Sequence, residues 1–142
     1  MAPPKLLIVE DEIIIARDVA AQLVALGYDP VGHAMSGPQS IHMARALRPD
    51  LVLMDIQLAG AMDGITAAQG IRDSFFIPVV FVSAFSADAT IARAKLAEPY
   101  GYILKPFSER ELKTVLEMAL YKHAVEARLH DAALHNQTIL DN

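Results

Sequence analysis

The sequence predicts an α/β domain, a doubly wound parallel sheet of five strands, followed by an extended C-terminal helix. Short runs of branched and aromatic residues recur along the chain, and stretches with helical apolar spacing fill the intervals. Each run that reads as a buried strand ends abruptly in a polar or charged residue. Alternating β and α segments make parallel sheets with helices on both faces, because parallel neighbours need crossover connections. The 142 residues suffice for one such domain, and 54% hydrophobic against 20% charged residues excludes a mainly disordered chain.

Leu6–Val9 is the first buried strand. Ile15, Val19, Leu23 and Leu26 then recur at helical spacing, and Gly27 offers a stop. A less apolar strand over residues 29–35 fits a sheet edge. Ile41, Ala44 and Leu47 mark a second helix that ends at Pro49. Leu51–Met54 is the next buried run, and Ile65, Ala68, Ile71 and Phe75 form the stripe of a third helix. Val79–Val82 follows, then a weaker helix over residues 87–97 with Ser86 as its cap, then Tyr100–Leu104. Ser108-Glu109-Arg110-Glu111 is a capping box opening the fifth helix. The domain is assigned to residues 1–120.

From Leu112 to Asn142 neither proline nor glycine interrupts the helix. Val125, Leu129, Ala132, Asn136 and Ile139 alternate spacings of four and three, a heptad seam with Asn136 at an a-like position. Residues 121–142 therefore read either as a signalling helix that pairs with its copy, as in a coiled coil, or as a frayed tail; so short a seam leaves both open.

The net charge is −5, from 12 basic and 17 acidic residues, and no stretch concentrates positive charge, which argues against direct nucleic-acid binding. No apolar run approaches a membrane span or a signal peptide. The lack of cysteine excludes disulfides, thiolate metal sites and cysteine nucleophiles, and fits a cytoplasmic setting. His123, His130 and His135 lie on the last helix without i, i+4 spacing and read as surface residues rather than a metal site.

The polar residues at the strand ends carry the chemistry. Glu10 and Asp11 follow the first strand, Asp55 the third, Ser83 the fourth and Lys105 the fifth. In a doubly wound sheet these ends share the edge where ligands bind. Taken singly, Glu10 and Asp11 could cap a helix, Asp55 could bond loop amides, Ser83 could be a turn residue and Lys105 a surface charge. Together they place three carboxylates, a hydroxyl and an ammonium at one locus. Clustered carboxylates repel unless a cation or protons compensate, and an all-oxygen site favours a hard ion, Mg²⁺. A carboxylate beside such an ion, with a lysine near, is equipped to take a phosphoryl group.

Val9-Glu10-Asp11-Glu12, Met54-Asp55-Ile56, Val82-Ser83-Ala84 and Lys105-Pro106-Phe107 resemble, in order and spacing, the signature of response-regulator receiver domains of two-component signalling. The resemblance covers about Lys5 to Leu120. It implies a flavodoxin-like sheet of strand order 2-1-3-4-5, with Asp55 as phosphoacceptor. Asp11, Asp55 and the backbone carbonyl of Gln57 would ligate Mg²⁺, and Glu10 would act on the ion through water. Ser83 and Lys105 would contact the phosphoryl oxygens, Ser83 and Tyr102 would switch, and the Lys105–Pro106 bond would be cis. The donor would be a histidine kinase or phosphotransfer protein. The responding surface would be the face of the fourth helix, fifth strand and fifth helix, a candidate for homodimerisation alongside the C-terminal helix. The resemblance further implies a phosphoprotein switch with no turnover of an outside substrate.

The segment after Asp55 departs from the pattern. Ala59 stands where most receivers have proline, and one extra residue precedes Asp63-Gly64, so this loop is expected to be longer and less rigid. Gln57 and Phe85 occupy positions that often tune phosphoryl lifetime in the family. The stretches 98–107 and 117–123 look like a subgroup often joined to PAS, kinase or cyclic-nucleotide domains. The ending, residues 137–142, resembles a linker into a PAS domain, so the chain is expected to be the N-terminal piece of a longer protein. An aspartate-nucleophile phosphatase would want a second aspartate where Gln57 stands. A nucleotide-binding module would want a glycine-rich phosphate loop, which is absent. A receiver-like interaction domain that no longer accepts phosphate is opposed by the complete acidic, serine and lysine set.

Overall fold

Strands built from consecutive apolar residues need both faces of their sheet covered, and that requirement organises the molecule. In the computed structural model the described residues are 2–84 and 88–140, with side chains described as far as Asp131. Phe85, the expected cap Ser86, His135 and the seam side chains Ala132, Asn136 and Ile139 lie outside that set, as do Asp141 and Asn142. The order is β1 (Lys5–Val9), α1 (Ile13–Ala25), β2 (Asp29–Ala34), α2 (Gly37–Leu47), β3 (Leu51–Asp55), α3 (Gly64–Phe75), β4 (Val79–Ser83), α4 (Asp88–Leu96), β5 (Gly101–Leu104) and α5 (Glu109–Leu140). The strands pair in parallel in the order β2-β1-β3-β4-β5, the expected topology.

Side chains alternate across a strand, so the sheet divides the core in two. Leu7, Val9, Val52, Met54 and Phe81 point to the side covered by α2, α3 and α4, where Ala44, Ile65, Ala68 and Ile71 meet them. Leu6, Ile8, Leu51, Leu53, Val80 and Val82 point to the other side, against Ala16, Val19 and Leu23 of α1 and Leu112, Leu116 and Ala119 of α5. The contribution of α4 is small: of its own residues only Ala94 is buried, joined by Ala97 just beyond its end. The outer strands β2 and β5 are less buried, as the weaker apolar content of β2 predicts. Pro30 sits in edge strand β2, where its missing N–H is tolerated, next to a register shift that leaves Val31 unpaired with β1.

The helix ends follow their local chemistry. Ser36 caps α2 by accepting from the Gln39 amide at 3.2 Å, and α2 ends with Arg48 in the left-handed conformation just before Pro49. Ser108 accepts from the Glu111 amide at 3.0 Å and donates its hydroxyl to the Glu111 carboxylate at 3.3 Å, which forms the capping box through side chains. From there α5 runs unbroken past residue 120. Among the described residues no helix is long and apolar enough to cross a membrane.

Leu116 has no exposed surface and belongs to the core although its helix continues outward. Leu116→Ala should cost about 2–5 kcal/mol, read as a lower urea midpoint, as for a large-to-small change in a packed core.

Candidate phosphoryl-transfer site

The parallel sheet carries the C-terminal ends of β1, β3, β4 and β5 to one edge, and with them the residues singled out from the sequence. Asp55 closes β3 and is paired in register with Val82, and Ser83 is paired with Leu104. Glu10 and Asp55 are 5% and 7% exposed, which matters because carboxylates are rarely buried without partners. Their partner is Lys105, whose Nζ lies 2.9 Å from Glu10 Oε2 and 3.2 Å from Asp55 Oδ2. The Lys105 amide donates to the Ser83 carbonyl at 2.8 Å, and the Lys105–Pro106 peptide is cis, as expected.

The backbone around the acids is equally specific. Asp55 Oδ1 accepts from the Gln57 amide at 2.9 Å, and Asp11 Oδ2 accepts from the Ala59 amide at 3.2 Å. The Glu10 amide donates to Ala34 at 3.0 Å, and the Glu10 carbonyl accepts from His33 Nε2 at 2.6 Å. A carbonyl can only accept, so Nε2 of His33 carries a proton here. Glu12, rather than Glu10 or Asp11, holds the N-cap position of α1 and makes no side-chain cap bond, while Glu10 Oε1 accepts from the Glu12 amide at 3.3 Å. One carboxylate oxygen each from Glu10, Asp11 and Asp55 lie within 4.8 Å of one another. Asp11 and Asp55 border an open pocket of about 480 Å³ lined also by Gln57, Ala59 and Lys105 among others. That donor set, all oxygen and short of positive charge, fits a hard divalent cation.

Ser83 is fully buried at the end of β4, on the same edge. Tyr102 sits one strand further out, opposite Phe81, half-buried and packed against the core on the α2–α3–α4 side. Glu10, Asp55 and Lys105 thus share one contact network, Asp11 lies beside it, Gln57 joins through its amide, Ser83 lies at the same edge, and Tyr102 lies beyond it.

Two supporting features were not read from the sequence. His33 reaches Glu10 from β2 because the register sets it opposite Ile8, and no local pattern announces that. Gly64 starts α3 with its amide donating to the Ile56 carbonyl at 2.8 Å, and a Cβ there would sit 2.1 Å from the Asp55 carbonyl oxygen. Only glycine permits so close an approach. The loop after Asp55, residues 56–63, buries Ile56 and Leu58, bends at Gly60 (φ +99°) and is tied down at Asp63. Asp63 caps α3 through the Thr66 amide at 2.9 Å and pairs with Arg93 of α4 at 2.9 Å. Partial burial pushes the Asp63 carboxyl up, but the Thr66 amide and the Arg93 guanidinium outweigh it and hold the group below its usual range.

One ammonium serves two nearly buried carboxylates, and the imbalance falls on Glu10. Burial and the neighbouring Asp55 push its carboxyl up to about 7, against the opposing pull of Lys105. Burial disfavours the charged form of Lys105, but Glu10 and Asp55 reverse that and raise it above its ordinary value.

Residues 6–117 match the family model for the response regulator receiver domain. The chain is 38% identical over 118 residues to transcriptional regulatory protein PdtaR of Mycobacterium tuberculosis, an alignment covering 83% of this chain and 57% of that protein. It is 33% identical over 118 residues to phyllosphere-induced regulator PhyR of Methylorubrum extorquens, covering 82% and 43%. The chain therefore spans about half the length of these curated relatives. Among solved structures, the signal receiver domain of a modulated diguanylate cyclase from Desulfovibrio desulfuricans superposes with a TM-score of 0.83 at 37% identity, covering 87% of this chain and 98% of that one. The N-terminal domain of a response regulator/sensory box/GGDEF 3-domain protein from Carboxydothermus hydrogenoformans gives 0.74 at 36% identity, covering 92% and 99%.

The Glu10 shift has a sign that can be checked. With an ordinary value of 4.5 and a folded value of about 7, Glu10 keeps in the folded state a proton that the unfolded chain releases. Its contribution to stability is complete below the lower value and is lost as pH rises through the higher one. In chelator-containing buffer the urea midpoint should fall between about pH 5 and 8, and Glu10→Gln should flatten that fall. Parallel pH profiles for wild type and Glu10→Gln would contradict this assignment.

Proposed function

Since this chain belongs to the response regulator receiver domain family, we propose that it is a phosphoacceptor switch in which Asp55 takes a phosphoryl group from a histidine kinase or phosphotransfer protein. The observation that supports this reading is the convergence on one sheet edge of Glu10, Asp11 and Asp55, with carboxylate oxygens within 4.8 Å of one another, and of Lys105 in contact with Glu10 and Asp55. The reading makes the chain a signalling switch acting in the cytoplasm, without turnover of an outside substrate.

The donor set fits Mg²⁺, held by Asp11, Asp55 and the backbone carbonyl of Gln57, with Glu10 nearby to balance charge. When bound, Mg²⁺ would offset the negative charge gathering on the transferred phosphoryl oxygens. The chain's own residues do the rest. Asp55 is fixed by the Gln57 amide and the Lys105 ammonium, so its carboxylate is aimed before the donor arrives. A carboxylate oxygen of Asp55 forms the new bond to phosphorus as the bond from phosphorus to the donor imidazole nitrogen breaks, and the donor ring, already protonated on its other nitrogen, leaves as neutral imidazole. Lys105, already 3.2 Å from Asp55, pairs with a phosphoryl oxygen. Ser83, at the end of the neighbouring strand, is the hydroxyl for another. The acyl phosphate carries about two negative charges further from the strand than the carboxylate did. Ser83 follows it, Tyr102 turns inward, and the α4-β5-α5 face is remodelled as a two-state shift. That face, or the C-terminal helix, is the proposed surface for a homodimer, and the output lies in a partner or a further domain.

Incubation with Mg²⁺ and a small acyl phosphate should add the mass of one phosphoryl group to the intact protein. The gain should disappear in Asp55→Asn and in excess chelator; an unmodified mass with every donor tried would sink the proposal. Truncation after Leu120 should leave this phosphorylation intact and weaken any dimer seen on sizing, and undiminished association would remove the helix from the dimer interface.

A further inference from the structure

The face of α5 that anchors it to the domain does not stop where the apolar residues stop. Leu112, Leu116 and Ala119 are fully buried, and the same spacing of four and three continues through His123, Glu126 and His130. On a helix these six positions share one face. The first three bury carbon against the sheet. The next three are polar, and the structure gives each of them a partner on the edge of the domain opposite Asp55.

His123 Nε2 lies 2.8 Å from the carbonyl oxygen of Phe76, the left-handed C-cap of α3. The carbonyl must accept, so His123 donates and satisfies one of the carbonyls that the end of α3 leaves open. The rings of His123 and His130 lie 4.8 Å and 5.5 Å from that of Phe76. Tyr100, immediately before β5, donates its hydroxyl to Glu126, and Lys122 lies 5.4 Å above the Tyr100 ring. These contacts bridge a cavity of about 540 Å³ lined by Arg72, Phe76, Glu98, Tyr100, Lys122 and Glu126 among others. Over residues 121–131 the contacts described between α5 and the domain are thus polar and ring contacts across open space, a grip that can be made and broken.

Both anchors belong to elements that begin or end at the site. At its other end α3 places Gly64 against the Asp55 carbonyl. The strand entered through Tyr100 carries Tyr102 and leads to Lys105. We propose that His123, Glu126 and His130 form a polar latch that docks the outgoing half of α5 on the far ends of α3 and β5, an intramolecular contact through which displacement of either element reaches the outgoing helix. The latch stands on its own contacts; its coupling to the site rests on the phosphoacceptor reading of Asp55.

Hydrogen exchange on the intact chain separates the two. In unphosphorylated protein, His123→Ala and Tyr100→Phe should each raise exchange of amides 121–131 about five- to tenfold, as loss of one such contact implies. Exchange in residues 5–119 should stay unchanged. Exchange in 121–131 equal to wild type in both variants would overturn the latch. After acyl phosphate treatment with the added mass verified, wild type should change its exchange over 121–131 and His123→Ala should not. A phosphorylated wild type with unaltered exchange there would overturn the coupling. Failure to gain mass would count against the phosphoacceptor reading and the coupling together, while the unphosphorylated comparison still decides the latch.

Discussion

Among the described residues Lys105 is the one ammonium in contact with two carboxylates that have almost no access to water, and the site is organised by that mismatch. Removing carboxylates from water is costly unless cations and amides replace the lost hydration. The chain supplies one cation, the Gln57 amide for Asp55, and a protonation bias at Glu10. The remaining deficit is what makes the edge a place for further positive charge. It also explains why three strands must end together: a slip of one residue in β1, β3 or β5 would turn one member of the set to the other face of the sheet.

Much of this could be read from the chain before any contact was known. Consecutive apolar residues marked the inner strands, the polar residue after each marked the edge, and Pro49 and Ser108 sit where a helix stops or starts. What escaped are contacts between segments distant in sequence. His33 holds Glu10 only because β2 pairs with β1, and Gly64 matters because α3 returns to touch the strand it left. The stripe expected on α1 is rotated slightly, with Ala16 buried where Ile15 is only half so, because a small residue lets the helix lie closer to the sheet. The seam expected on the last helix is described only in part: Leu129 is 65% exposed and Val125 half-buried. The polar face beside that seam carries no periodic apolar signal, so His123 and His130 read from the sequence only as surface residues.

The sheet separates two half-cores of different character. On one side α1 and α5 bury leucine, valine and alanine deeply, and α5 carries that anchorage outward into a helix held by polar contacts. On the other side α2 and α3 supply the apolar mass, and α4 lies over it with little of its own. The acids and the lysine sit on the edge common to both, so a change of charge there acts on a firmly seated half and a lightly seated one at once.

The light seating of α4 sets the mechanical stiffness of the domain. Ala94 and Ala97 are its buried attachments, Leu96 is 73% exposed, and the Arg93–Asp63 pair is only partly shielded from solvent. Two alanine methyls contribute on the order of 2 kcal/mol of apolar burial, and an ion pair that water still reaches adds about 1 kcal/mol or less. One charge-assisted hydrogen bond is worth about as much as the two methyls. The helix is thus a soft spring beside a hard frame: a load the size of a single new bond at the sheet edge can deflect it, while the frame that aims Asp55 and Lys105 does not yield.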